Sequence, residues 1–313
     1  MRPGLGKKVG ILGVPLGFGA GHTGSELGVN AMRLSKIRGH SLAEHIRALG
    51  YEVSDHGDVA IVQPTDQESN ANPKHLPEML ASSLNITRAL ENILANDEIP
   101  IILGGDHAIA IPTFTALASH YRSRGEEIGL IWFDAHADIN TPETSPSGNN
   151  HGMPLATLLG HGAPELTDLC GFSPKLNPRY LAHIGARDID DGERSQIEKL
   201  GLRKNFFTMS DVDSRGMQAC VADAIEIASQ APGGFAVTFD VDGIDPRFAP
   251  GSGTLVRGGA TYREAHLTLE MIAAHGGLRS FEIVEVNPLL DHSNITVELA
   301  CELILSALGK TIL

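Results

Sequence analysis

Residues 129–140, GLIWFDAHADIN, close an apolar run by presenting Asp134, His136 and Asp138. In an extended chain, positions i, i+2 and i+4 share one face at a spacing of about 7 Å. Two carboxylates and an imidazole would therefore project together. Placed directly after Leu130, Ile131, Trp132 and Phe133, such a group without a cation would leave each buried charge uncompensated, at several kcal/mol apiece. Metal ligation suits this spacing, and an Asp-rich turn with an incidental histidine is the alternative. Three more apolar runs end the same way: 99–103 leads to His107, 235–239 to Asp240 and Asp242, and 281–284 to Glu285. Ligands in open α/β sheets collect outside the carboxyl ends of strands, so one site can gather all four. Two His and four Asp exceed what one tetrahedral ion needs and suit a pair of ions sharing bridging carboxylates. Charge balances as well, since four Asp contribute −4 against +4 from two divalent ions. The ions are then free to acidify a bridging water. Oxygen-rich, thiolate-free donors favour Mn²⁺, while imidazole also suits Zn²⁺ or Fe²⁺.

The elements that must hold these tips follow from periodicity. Strands are expected over 9–15, 51–59, 99–103, 129–133, 180–185, 205–209, 235–239 and 279–286. Helices are expected over 28–47, 76–94, 153–159, 191–200, 211–229, 262–274 and 295–308, with another starting near Ala108. Strands that are apolar throughout and alternate with helices imply an α/β fold with a parallel sheet covered on both faces. No linker interrupts residues 1–313, so a single domain is expected, with the polar loop through Pro64, Asn70, Asn72 and Pro73 as an excursion from it. Residues 19–24, GAGHTG, match a dinucleotide fingerprint in form. No acidic residue closes a second strand about 20 positions on, and Glu44 falls in helical patterning. A flexible loop near the mouth of the site is the expected use of these glycines.

Composition narrows the partners. The chain has 24 Lys and Arg against 38 Asp and Glu, a net charge of −14, and no basic run. That balance argues against nucleic acid and is compatible with a small cationic substrate. Cys170, Cys220 and Cys301 are far apart without CxxC spacing, which fits a reducing compartment. The apolar run 9–15 is too short for a signal peptide, and no stretch approaches 18 apolar residues. A soluble cytoplasmic protein without a membrane partner is expected.

GGDH at 104–107, DAHAD at 134–138, DVDGIDP at 240–246 and EVNP at 285–288 resemble, in this order and spacing, the ureohydrolase (arginase/agmatinase) family. The resemblance spans essentially the whole chain. It implies a three-layer α/β/α fold around a mainly parallel eight-stranded sheet, and a binuclear manganese centre that hydrolyses guanidino groups to urea by attack of a metal-bridging hydroxide. His107, Asp134, Asp138 and Asp240 would hold one Mn²⁺ ion, and Asp134, His136, Asp240 and Asp242 the other. Asn140-Thr141-Pro142 with Ser147-Gly148-Asn149-Asn150-His151-Gly152 is similar to the arginase branch, whose loop reads the α-amino and α-carboxylate groups of L-arginine. Asn140, Ser147 and Asn149 would contact substrate there. Residues 187–193 are similar to the segment that places Asp190, with Glu193 beside it, at the α-amino group. Glu143, Pro146 and the 17–24 loop depart from the arginase pattern.

Within this reading Glu285 places the guanidinium by a planar two-point contact. Asp138 passes a proton to the leaving amine, His151 shuttles protons at the mouth, and Thr254 touches the intermediate. Asp245 before Pro246 reads as a turn-former. The product pair would be L-ornithine and urea. Agmatinase or a guanidino-acid hydrolase of the same family is the near alternative. A one-zinc deacetylase and a catalytically silent subunit are the distant ones. A homotrimer or homohexamer is implied by the resemblance alone.

Overall fold

The computed structural model describes residues 3–65, 69 and 71–312; Asn70, Met1, Arg2 and Leu313 of the expectations above lie outside the described residues. In chain order the strands are β1 Lys8–Val14, β2 Lys36–Ile37, β3 His40–Ser41, β4 Glu52–Asp58, β5 Glu98–Gly104, β6 Gly129–Phe133, β7 Leu181–Ile184, β8 Phe206–Phe207, β9 Phe235–Asp240 and β10 Leu278–Val284. The helices are α1 Gly28–Leu34, α2 Leu42–Ala48, α3 Leu76–Ala95, α4 Ala110–Arg122, α5 Pro154–Leu158, α6 Pro164–Thr167, α7 Asp191–Lys199, α8 Met209–Arg215, α9 Met217–Ser229, α10 Tyr262–His275 and α11 Ile295–Ala307.

Eight strands form one sheet in the order β4-β1-β5-β10-β9-β6-β7-β8, and every pairing is parallel. Successive side chains of a strand enter opposite layers. Ile131 and Phe133 of β6 join Val237 and Phe239 in a core completed by Val221 of α9, Leu269 of α10 and Leu303 of α11. Leu130 and Trp132 of the same strand face Phe114 and Leu117 of α4 and Leu155 of α5. Leu12 and Ile102 pack on Ile86 and Leu90 of α3. Burial on both faces explains why the strands read as apolar runs, and the three-layer α/β/α architecture follows. Among the described residues no helix is long and apolar enough to cross a membrane.

Three elements differ from the periodicity. The helix expected over 28–47 is interrupted by the β2–β3 hairpin, which turns at Arg38 (φ 52°) and Gly39 (φ 86°). Chain growth as helix resumes only where Ser41 accepts the N–H of Glu44 and the Glu44 carboxylate returns to the Ser41 N–H, a capping box. The helix expected over 211–229 breaks into α8 and α9 at Gly216, whose φ of 81° an L side chain rarely adopts. The strand expected over 205–209 shortens to two residues because Thr208 caps α8 through Asp211. β4 is an exposed polar edge strand, blunted by Arg33, which bonds Asp55, Asp58 and the Gly57 carbonyl.

Phe239 is fully buried and stacks on Phe133 with ring centroids 4.2 Å apart. Phe239→Ala should lower unfolding free energy by about 3–5 kcal/mol through lost transfer energy and a residual cavity. Urea unfolding followed by circular dichroism measures this, and a change below about 1 kcal/mol would contradict the packing described.

Candidate metal centre

β5, β10, β9 and β6 are consecutive in the sheet. The chain lays down β5, crosses past two positions to β6, and returns later to fill them with β9 and β10. Parallel α/β sheets open a crevice where strand order reverses in this way. The four charged tips are therefore neighbours, although they are far apart in sequence.

Two of them carry unusual backbone. Asp138 (φ 52°) and Glu285 (φ 61°) both lie in the left-handed region, which costs a non-glycine residue roughly 1–2 kcal/mol. Surrounding bonds hold this geometry. The Leu155 N–H donates to the Asp138 carbonyl (2.9 Å), and the Glu285 N–H donates to the Gly105 carbonyl (2.8 Å).

The side chains then converge. His107 Nδ1 stands 2.9 Å from Asp134 Oδ2, 3.1 Å from Asp138 Oδ2 and 3.3 Å from Asp240 Oδ2. His136 Nδ1 stands 3.4 Å from Asp134 Oδ1 and 3.2 Å from Asp242 Oδ2. Asp134 offers one oxygen to each imidazole. Two donor sets result, His107/Asp134/Asp138 and Asp134/His136/Asp242, each with its ligand atoms within 4.8 Å of one another. Asp240 joins the first through Oδ2, and its Oδ1 accepts the Asp242 N–H at 2.8 Å.

A hydrogen-bond chain tests whether a cation fits. Thr113 and Thr238 both donate to the buried Glu282 carboxylate, at 2.6 and 2.7 Å. The Thr238 oxygen, 2.9 Å from His107 Nε2, is then left to accept that ring's Nε2–H. His107 Nδ1 consequently presents a bare lone pair to three carboxylate oxygens, and it has no hydrogen-bond partner among the described residues. Lone pairs and anionic oxygens repel, and a metal ion in their midst turns the repulsion into ligation. The donor set fits divalent metal.

Without metal, protons must do the compensating. Burial opposes a charged His107, but Asp134, Asp138 and Asp240 outweigh it and raise the imidazole well above its ordinary value. Burial and the Asp242 and Asp134 charges push Asp240 well above the carboxylate range. Burial and Asp134 push Asp138 up to about 6. Trp132 backs the cluster, stacking on His107 with centroids 4.4 Å apart and donating from Nε1 to Asp134 Oδ2 at 3.0 Å.

Over the cluster lies a cavity of about 180 Å³, with His136, Asp138 and Asp240 on its floor and Asn140, Ser147, His151, Asp190, Glu193 and Thr254 around it. Asn140 Nδ2 donates to Asp190 Oδ2 (2.8 Å), and Asp190 caps α7 in a capping box with Glu193. Burial and Asp138 raise Glu193 to about 8. Thr254 Oγ1 donates to Asp242 Oδ2 (2.8 Å). His151 Nδ1 lies 3.1 Å from Glu285 Oε1, which also accepts the His107 N–H at 3.0 Å. Burial opposes protonation of His151, but Glu285 prevails and raises it to about 9. Asp245 forms a turn, accepting from Arg247 and the Gly258 N–H, as its place before Pro246 suggests.

Asn149 does not line the cavity. Its Oδ1 accepts from Lys74 Nζ at 2.9 Å, and its Nδ2 lies 3.1 Å from where a Cβ on Gly21 would stand. The 17–24 loop packs behind His151, tied down by the Gly19 N–H to Asp106 (2.8 Å), the His151 N–H to the Gly19 carbonyl (3.1 Å) and Asn287 Nδ2 to the Thr23 carbonyl (3.0 Å). A Cβ on Gly19 would meet Asp106 Oδ1 at 2.5 Å, so close approach explains that glycine. Asp106, Trp132, Thr238, Glu282 and Arg187 were not singled out from sequence. Arg187 donates to the carbonyls of Asp242 (2.6 Å) and Val256 (2.6 Å), tying the β9 tip to the loop after it. Thr238 and Glu282 did leave a signal, as polar residues inside otherwise apolar runs.

The parallel three-layer fold and the acid–imidazole cluster at its central strand tips define an α/β protein with a centre able to hold divalent metal. The chain belongs to the Arginase family, whose model it matches over residues 7–309. It is 40% identical over 312 residues to the arginase of Bacillus subtilis (strain 168), covering 99% of this chain and 100% of that protein. The native structure of arginase from Bacillus caldovelox superposes with a TM-score of 0.90 at 39% identity, over 98% of this chain and 100% of the other. A structure described as a hypothetical agmatinase from Burkholderia thailandensis gives 0.71 at 28% identity, over 97% and 85%.

Asp134→Ala removes the oxygen pair that the two imidazoles share. It should abolish the rise in melting temperature that divalent ion gives the unsubstituted protein, read by scanning fluorimetry. Because Asp138 must shed a proton of pKa about 6 to ligate, ion affinity should fall as pH drops through that value. Equal affinities at pH 5 and 8 would contradict the ligand assignment.

Proposed function

We propose that this chain hydrolyses the guanidino group of L-arginine to L-ornithine and urea, using two Mn²⁺ ions held by His107, Asp134, His136, Asp138, Asp240 and Asp242. The observation that carries the reading is Asp134, whose two oxygens face two separate imidazoles beneath a cavity floored by Asp138 and Asp240, with Glu285 buried behind that cavity's His151. Membership of the Arginase family and the arginases among its relatives support it. Bound in the cluster, the ions would supply a strong nucleophile at neutral pH by acidifying water.

The remaining work falls to side chains. Guanidinium is a stable cation and a poor electrophile, so placement decides the rate. Glu285, held below the ordinary carboxylate range by His151 against its burial, is an anion that receives the planar cation. His107 N–H and His151 both contact its Oε1, fixing the carboxylate before substrate arrives. Water adds to the guanidino carbon, and the bond from that carbon to the side-chain nitrogen breaks. Asp138 carries the added proton to the leaving amine. His151, at the cavity wall, exchanges protons with solvent. Thr254 steadies Asp242 beneath the reacting carbon. At the far end of the cavity Asp190, oriented by Asn140 and its own capping box, receives the α-amino group, with Glu193 and Ser147 beside it.

The agmatinase-like reading shares all of this chemistry and differs only at the substrate tail. Urea release from arginine, agmatine and 4-guanidinobutyrate by Mn²⁺-loaded protein separates them. Arginine should be preferred, and equal rates on agmatine would overturn the arginine assignment. Glu285→Gln should retain metal while losing at least about 100-fold in kcat/KM, and retained turnover would remove Glu285 from its role.

A further inference from the structure

The two donor sets are held from different sides. His107 belongs to the first alone, and its ring is fixed by Thr238 within β9 at 2.9 Å. His136 and Asp242 belong to the second alone, and both are held from the end of β7. His183 Nε2 lies 2.7 Å from the His136 carbonyl, which accepts its N–H. Beyond the strand, the Arg187 N–H donates to the Ala135 carbonyl at 2.8 Å, and the Ala135 N–H donates to Asp242 Oδ1 at 3.2 Å. The Arg187 side chain then reaches across to the β9 tip. Nη2 donates to the carbonyls of Asp242 and Val256 (both 2.6 Å), Nη1 to that of Gly243 (3.2 Å) and Nε to that of Arg257 (3.2 Å). Val256 and Arg257 continue the loop from Thr254, whose hydroxyl bonds Asp242 Oδ2 (2.8 Å). A Cβ on Gly259 would stand 2.6 Å from Nη2, so the glycine makes room for the guanidinium. Among the described residues the hydrogen-bond partners of this guanidinium are backbone carbonyls on three segments, an array that needs a planar fork of donors and not a point charge.

We infer that Arg187 is a positioning residue for one metal position and not the other: it fixes the Asp242 backbone and the Thr254 loop, and so sets how tightly the Asp134/His136/Asp242 position holds a divalent ion. The inference rests on the two-ion centre of the proposed function. Asp242 has little freedom left once its N–H is bound by Asp240, its carbonyl by Arg187 and its side-chain oxygens by Ala135 and Thr254. Loss of the fork frees that carbonyl and the loop together, while the His107/Asp134/Asp138 position keeps its own support from Thr238 and Trp132. The guanidinium charge works the other way, since a cation near a divalent ion repels it. That repulsion is offset by the carboxylates of Asp242, Asp134, Asp245 and Asp240 around it, so placement decides.

The test measures Mn²⁺ affinity, from the paramagnetic resonance signal of the free ion, in two parents: His107→Asn, which keeps the second position, and His136→Asn, which keeps the first. Adding Arg187→Gln should weaken binding by about tenfold or more in the His107→Asn parent and by less than about threefold in the other. Arg187→Lys keeps the charge but not the fork, and should give the same pattern. An equal loss in both parents would overturn the inference, since a merely structural brace predicts it. Unchanged or tighter binding in the His107→Asn parent would overturn it too. If a parent holds no ion, stepwise titration of Arg187→Gln in the otherwise unsubstituted chain decides: one constant weakened about tenfold with the other unmoved is expected, and both or neither moved contradicts it. Arg187→Lys carries the comparison if Arg187→Gln does not fold. Fewer than two ions bound by the unsubstituted protein is a separate outcome that overturns the functional reading first and this inference with it.

Discussion

Carboxylates do not crowd together away from water unless something positive stands among them. At the centre of this sheet Asp134, Asp138, Asp240 and Asp242 are buried beside two imidazoles, and the ring of His107 is turned so that Nδ1 faces three of their oxygens. The repulsion belongs to the folded state. An unfolded chain would simply hydrate these groups. The packed layers of the sheet therefore maintain an arrangement that a divalent ion would relieve, and this suits the centre to hold metal.

Topology makes the crowding possible. β9 and β10 enter between β5 and β6, so residues separated by well over a hundred positions become neighbours at four adjacent tips. The rigid strands beneath are interlocked by Phe133, Phe239 and Phe281, and the tips inherit that rigidity. Left-handed backbone at Asp138 and Glu285 then aims the two carboxylates that strand geometry alone would not place. Beneath, the Glu282–Thr238 chain fixes the tautomer of His107, and beside it Trp132 fixes Asp134. The chemistry sits on strand ends, whereas the face that meets the substrate tail is loop, braced from outside by Asn72 and Lys74.

Much of this was legible in the chain before any coordinates. The buried strands read as apolar runs with the charged cluster gathered at their ends, because a strand covered on both faces has little room for charge inside it; Glu282 within β10 is accommodated by the hydroxyls of Thr113 and Thr238. The hairpin at 36–41 was hidden since the buried pairs on either side of it, Val29 with Met32 and Leu42 with Ile46, each keep helical spacing, although Ser41 and Glu44 carried a helix-start signal. Gly216 likewise broke a helix that its neighbours' periodicity joined. Strand order could not be read, because periodicity describes one element and adjacency belongs to pairs of them. Asn149 shows the limit for sites: a loop motif identifies which residues are near the substrate, but Lys74, from another segment, decides where the side chain points.

The central claim is that one carboxylate, Asp134, is shared between two metal positions. Low-temperature electron paramagnetic resonance of the protein saturated with Mn²⁺, with metal content measured on the same sample, tests it directly. Two ions per chain should give the broad spectrum of an exchange-coupled pair. One ion per chain, or the sharp six-line signal of isolated Mn²⁺, would contradict it.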